Sequence, residues 1–225
     1  MVSRTYFALG AVIITLLLTP LSSAGSSGMN YLDSTTTEKS DAYTNSVSVN
    51  SNNTIIASSY GRFVEFHDVA SLELIKRFDF GRDVYDVQFS PDGKIVAVSI
   101  VALDSIHDSL RLINTASLEV ESKQAHGNNR PGTIDWSPDG KRIVAPNINN
   151  GAAVFNSTTM AKELTLSGRH TSDVTCSSFS KTGNYIVTGD ETGKIQLWDS
   201  AGNPLEAEIY VEEEVVGCDF SPQDA

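Results

Sequence analysis

Phe89-Ser90-Pro91-Asp92-Gly93 decides the fold, because it returns as Trp136-Ser137-Pro138-Asp139-Gly140 and, in weaker form, as Phe179-Ser180-Lys181-Thr182-Gly183 and Phe220-Ser221-Pro222. A still weaker copy, Val49-Asn50-Ser51-Asn52-Asn53, precedes them. Counted on the first residue of each copy, the intervals are 40, 47, 43 and 41 residues. A steady period of about 40–45 residues marks one supersecondary unit copied in series, and that length suits four short strands.

Branched or small residues stand five and two positions before the anchors, as Val84 and Val87, Val174 and Ser177, Val215 and Cys218. They place a first strand ending at each anchor. Pro-Asp-Gly follows, in which Pro presets a turn φ and Gly93, Gly140 and Gly183 accept the positive φ next to it; Asn53 fills that place in the first copy. The apolar runs Ile55-Ile56-Ala57, Ile95-Val96-Ala97-Val98, Ile143-Val144-Ala145 and Tyr185-Ile186-Val187 read as second strands. Third strands are expected to end at Phe66, Ile113, Phe155 and Trp198, and fourth strands to begin near Leu72, Leu118, Lys162 and Leu205. Four short strands joined by tight turns make an antiparallel meander. The fold class is therefore all-β, with four complete four-stranded units in series and the first strand of a fifth.

The unit from Gly168 to Asp199, with His170 near its start and Trp198-Asp199 closing its third strand, resembles a WD40 repeat, and the likeness extends over residues 43–225. It implies a β-propeller whose structural anchors are Phe89, Trp136, Phe179, Trp198 and Phe220. The sequence departs from the family where Phe66-His67, Ile113-Asn114 and Phe155-Asn156 stand in place of Trp-Asp. In the family an Asp before the third strand bonds the His. Thr192 is read at that place here, so the family's buried polar tetrad is not expected and apolar packing is expected to hold the blades. Ile134 to Lys141 also resembles the repeats of TolB-type propellers.

Residues 1–24 read as a signal peptide: Arg4, then an apolar stretch from Phe7 to Thr19, Pro20, and the small-residue site Ser22-Ser23-Ala24. Thirteen apolar residues fall short of the roughly 20 that span a bilayer, so no membrane span is expected once the leader is removed; the alternative is an uncleaved N-terminal anchor. Residues 25–41 read as a flexible linker rich in Ser and Thr, and 42–225 as the propeller. The series is expected to continue past Ala225 in a longer chain. The rival is a five-bladed ring whose last blade borrows residues 30–41.

The chain carries 16 Lys plus Arg against 28 Asp plus Glu, a net charge of −12. Such a field repels phosphate backbones, and no basic stripe is present to bind nucleic acid. Cys176 and Cys218 are the only cysteines. They stand three and two positions before their anchors, which puts them on opposite sides of neighbouring strands, so a bridge between them is not expected. Asn52-Asn53-Thr54 and Asn156-Ser157-Thr158 match the N-glycosylation acceptor pattern.

No nucleophile elbow, zinc-protease helix, Cys-x-x-Cys pair or phosphate loop occurs, and neither cofactor nor metal is expected. In a four-stranded meander the start of the first strand, the turn between the second and third, and the link to the next unit share one face. Tyr43, Asp83, Arg130, Asp173 and Glu214, six residues before their anchors, are therefore expected to ring one opening. Asp104 and His107 lie beside it in the long Val101–Asp108 connection. Binding resides most often in such loops on a rigid scaffold. The function expected is a non-catalytic interaction scaffold outside the cytoplasm, with this rim meeting a protein partner. The alternative is the propeller of an exported hydrolase, peptidase or metal-dependent enzyme, for which Asp104, His107 and Asp108 are the nearest approach to a metal shell.

Overall fold

The computed structural model describes residues 44–101, 108–126, 132–147 and 150–221. Every regular element among them is a strand. The first blade holds β1 (Thr44–Val49), β2 (Ile55–Tyr60), β3 (Phe63–Asp68) and β4 (Leu74–Asp79); the second holds β5 (Val84–Phe89), β6 (Ile95–Ile100), β7 (Asp108–Asn114) and β8 (Glu119–His126). The third holds β9 (Asp135–Trp136), β10 (Arg142–Asn147), β11 (Gly151–Asn156) and β12 (Lys162–Leu166); the fourth holds β13 (Val174–Phe179), β14 (Tyr185–Asp190), β15 (Lys194–Asp199) and β16 (Pro204–Tyr210). Each blade is an antiparallel sheet in chain order, and the first strands of successive blades pack against one another. This is the blade series of a β-propeller. Among the described residues no helix is long and apolar enough to cross a membrane.

The Ser-Pro-Asp-Gly turn works through its serine. Ser90 Oγ donates to Asp92 and accepts from the Ile95 N–H at 3.0 Å; Ser137 does the same with Asp139 and Arg142. Ser180 accepts from Tyr185, and Asn50 replaces the serine by accepting from Ile55. Gly93, Gly140 and Gly183 have φ of 72°, 70° and 74°, and Asn53 has 56°. That left-handed region explains why Gly or Asn closes each of these four copies.

The core lies between blades. Ala57, Val64, Phe66 and Phe78 of the first blade pack with Val84, Val87, Phe89, Val98 and Ile113 of the second. Leu110 and Leu112 meet Trp136, Ile143 and Phe155 across the next seam. Val144, Val154 and Leu166 meet Val174, Phe179, Ile186 and Trp198 across the third. Each such side chain contributes about 1.5–3 kcal/mol when fully buried, so stability comes mainly from contacts between neighbours.

A bulge sets which way the first strands point. The register shifts between Thr44 and Ser46, between Val84 and Asp86, and between Val174 and Cys176. The extra residue breaks the period-2 alternation. Val84, Val87 and Phe89 therefore share the seam core, while Asp86 and Gln88 turn away from it.

Four expectations need correction. Ile56 pairs with His67 as Ile186 pairs with Trp198, so His67-Asp68, and not Phe66-His67, stands in the place of Trp198-Asp199. Phe66 faces the other way, 6.0 Å from the Phe89 ring. Leu72 and Leu118 are turn residues with φ of 58° and 53°, and their fourth strands begin at Leu74 and Glu119. Residues 211–221 form no strand, because a strand exists through its ladder and no described residue pairs with them. Finally, Cys176 and Cys218 are joined in a disulfide with Cα atoms 5.8 Å apart. Cys176 lies beside the bulge at Thr175 and Cys218 outside any ladder, so regular strand parity governs neither side chain.

Candidate functional site

Backbone hydrogen bonds tie the starts of the first strands to the ends of second strands, two of them within a blade and two from one unit to the next. Val84 N–H donates to Gly61 O at 2.7 Å, Val101 to Asp83 at 2.9 Å, Glu191 to Asp173 at 3.2 Å and Val215 to Asp190 at 3.1 Å. Each joins the start of a first strand to a turn after a second strand. Asp83 and Asp173 hold the same place in their blades; Asp83 and Glu214 are exposed and Asp173 is half-buried. Tyr43, Arg130, Asp104 and His107 lie outside the described residues, as do the leader at 1–24 and the linker at 25–41.

Below this rim, polar groups near the ends of the first strands tie those strands together. Ser46 Oγ donates to Asp86, whose other oxygen accepts from the Ile134 N–H at 2.8 Å. Ser48 Oγ accepts from the Phe89 N–H at 3.1 Å, and Trp136 Nε1 donates to Gln88 O at 3.0 Å. Asp135 accepts from Ser178 Oγ at 2.9 Å and from the Phe179 N–H at 2.8 Å. Each link crosses a seam. Burial pushes the Asp86 carboxyl above the usual range despite these donors, and it does the same to Asp135.

Gln88, Thr133, Asp135, Ser178, Lys181 and Asp219 line a cavity of about 270 Å³ among these strands, with Gly217 and Cys218 on the same wall. Sequence reasoning passed over this set. Its signal was present, since the residues one before the anchors are Ser48, Gln88, Asp135, Ser178 and Asp219, all polar.

The fourth blade contains the buried tetrad that was not expected. His170 Nδ1 lies 2.8 Å from Asp190 Oδ2 and its Nε2 lies 2.6 Å from Thr188 Oγ1; Trp198 Nε1 donates to Thr188 Oγ1 at 2.8 Å. The acid partner is Asp190 at the end of β14. Thr192 only supports it, donating to Asp190 Oδ1 through its N–H and its hydroxyl.

Burial lowers the His170 pKa, overcoming the pull of Asp190. Burial raises that of Asp190, but bonds from Thr192, His170 and the Lys194 N–H outweigh it and hold the carboxyl below its usual range. A neutral imidazole beside a carboxylate donates from Nδ1, so Nε2 accepts from Thr188 and the Thr188 oxygen accepts from Trp198. Hydroxyl, imidazole and carboxylate in a row have the chemistry of a nucleophilic triad. Here the His170 and Asp190 side chains are fully enclosed and Thr188 is 0% exposed beneath Trp198, so no substrate reaches the hydroxyl and the row serves packing. Among the described residues no cluster of His, Cys, Asp and Glu is arranged to hold a metal.

Asn156 of the second glycosylation pattern is engaged in its turn, accepting from the Thr158 and Thr159 N–H groups and donating to Glu163 at 2.9 Å.

Residues 162–199 match the family model WD domain, G-beta repeat, the span that carries all four members of the tetrad, His170, Thr188, Asp190 and Trp198. The chain is 24% identical over 155 residues to Echinoderm microtubule-associated protein-like 3 of Homo sapiens, covering 68% of this chain and 17% of that protein. It is 26% identical over 117 residues to the Mus musculus protein of the same name, covering 51% and 12%. The chain thus spans under a fifth of the length of these relatives.

Proposed function

We propose, for a chain built of WD40-type blades, a non-catalytic scaffold outside the cytoplasm that presents the face of Asp83, Asp173 and Glu214 to a basic protein partner. The carrying observation is a division of polar groups. The enclosed ones are occupied inside the fold, Asp86 and the half-buried Asp135 in joining blades and His170, Thr188 and Asp190 in bonding one another within the fourth, whereas Asp83 and Glu214 stand exposed at the rim. Exposed carboxylates on a face formed by loops steer a cationic partner and set its orientation. The net charge of −12 acts in the same sense.

The Cys176–Cys218 bond supports an exported location, because disulfides persist in oxidising compartments. The signal-like leader supports it from the sequence. The microtubule association in the relatives' name is not carried over, since it describes proteins of which this chain spans 17% or less.

The test is affinity capture from a cell-surface extract with the wild-type chain and with an Asp83→Lys, Asp173→Lys, Glu214→Lys variant. Loss of a captured protein only with the variant supports the rim, and an unchanged set of captured proteins removes it.

A further inference from the structure

On the face of the Ser-Pro-Asp-Gly turns, opposite the rim, two grooves between blades can be compared position by position. A groove of about 520 Å³ between the second and third blades is lined by Pro91, Ile95, Leu112, Glu121, Trp136 and Ser157. Its counterpart of about 480 Å³, between the third and fourth, is lined by Pro138, Arg142, Glu163 and Phe179. Val96 pairs with Ile113 as Ile143 pairs with Phe155, so Ile95 and Arg142 hold one position. Ile113 pairs with Val120 as Phe155 pairs with Lys162, so Glu121 and Glu163 hold another. Phe155 in turn corresponds to Trp198, which sets Ser157 against Ser200.

In the groove between the third and fourth blades the chain supplies its own cation. The Arg142 guanidinium lies 3.1 Å from Glu163 Oε2 and donates to Ser200 O of the fourth blade at 3.2 Å. The groove between the second and third keeps both acceptor positions, at Glu121 and Ser157, but Ile95 stands where the arginine would be. Glu121 is half-buried, and among the described residues no group bonds or pairs with it. Asp92 and Asp139 at the mouth are engaged, each accepting from the serine of its own turn and lying 3.2 and 3.5 Å from Lys94 and Lys141. Leu112 and Trp136 are buried apolar walls. A carboxylate partly withdrawn from water and lacking a counterion favours a cation brought to it.

We propose that this groove receives an arginine side chain of a partner protein, its guanidinium bonding Glu121 and the Ser157 carbonyl as Arg142 bonds Glu163 and Ser200. Arginine fits better than lysine because its planar fork presents donors to a carboxylate and a carbonyl at once, whereas an ammonium is a compact point charge. An aliphatic residue beside that arginine covers Ile95 and Leu112, which a free amino acid does not do. The site is separate from the rim and does not rest on it.

The full chain is titrated with the blocked peptide Leu-Arg-Leu and with the same peptide carrying citrulline, the neutral isostere, while the Trp136 indole N–H and Ile95 methyl resonances are followed. Only the arginine peptide is expected to shift them saturably. Glu121→Gln should weaken it by about tenfold or more. Ile95→Arg, which supplies the guanidinium from within, should abolish binding. The variant carrying Asp83→Lys, Asp173→Lys and Glu214→Lys should bind the peptide as the wild type does, so failure of the rim leaves the groove standing. Absence of shifts, equal binding of the citrulline peptide, unchanged binding by Glu121→Gln, or free arginine binding as tightly as the peptide would each overturn the assignment. Concentration-dependent shifts of the same resonances in the chain alone would put a second copy in the groove and overturn it as well.

Discussion

The fourth blade packs His170, Thr188, Asp190 and Trp198 where the second packs Phe80, Val98, Ile100 and Ile113. The registers establish the match: Val174 pairs with Asp190 as Val84 pairs with Ile100, Ser177 with Thr188 as Val87 with Val98, and Ile186 with Trp198 as Val96 with Ile113. Phe80 and His170 each stand four residues before their first strand. In the second blade these positions join one apolar cluster, Phe80 packing on its edge; in the fourth they form a hydrogen-bonded chain from indole to carboxylate. Either solution fills the seam. The polar one is directional, so it fixes the loop carrying His170 against the sheet, and it fails as a unit when one member is lost.

The largest effect expected is from Trp198→Ala, which removes the biggest fully buried side chain and the donor to Thr188. It should cost about 4 kcal/mol in urea unfolding. Asp190→Ala comes next, because His170 and the N–H groups of Thr192 and Lys194 lose their acceptor; about 3 kcal/mol is expected, read the same way. Copying the second blade's solution by His170→Phe, Thr188→Val, Asp190→Ile and Trp198→Ile together should cost less than the sum of the four single changes, since imidazole, hydroxyl and indole leave with their partners and only the Thr192 and Lys194 N–H groups lose an acceptor. A loss equal to the sum of the single changes would show that the two blades do not solve the same problem.

Acid should separate the blades further. His170 has its folded pKa lowered, so its contribution is full above the unfolded value of about 6.5 and is lost as pH falls through the folded value. Asp190 is also lowered, and its contribution is lost as pH falls below about 3.9 through its own folded value. Asp86 and Asp135 are raised and slope the opposite way, their contribution being lost as pH rises from about 3.9 through the folded values. The fourfold variant keeps Asp86 and Asp135, so their slopes cancel in the difference between the two proteins. Urea midpoints measured across pH 4–7 should converge toward acid, the wild type losing more. The smallest effect is at the rim: Asp83→Lys and Glu214→Lys should each change stability by within about 0.5 kcal/mol.

The turns were legible because Ser, Pro, Asp and Gly act within five residues of one another, and the sheets because a hairpin follows from each turn. His67 was misplaced by one residue because the loop before β3 is shorter than its counterparts, and only the pairing of Ile56 with His67 reveals the parity. The tetrad was missed because Asp190 sits in a strand end rather than in the turn at Thr192. Asp135 reads as an ordinary residue before an anchor, and its work is done on Phe179, 44 positions away.

By itself the sequence determined the repeat, its period and the hairpin that closes each copy, since all three rest on chemistry between near neighbours. Only the tertiary structure decided which side chains turn into the seams, which polar groups join one blade to the next, and that Cys176 meets Cys218. The reason is that a single bulged residue reverses every side chain beyond it, and a bulge exists only as a relation between two strands.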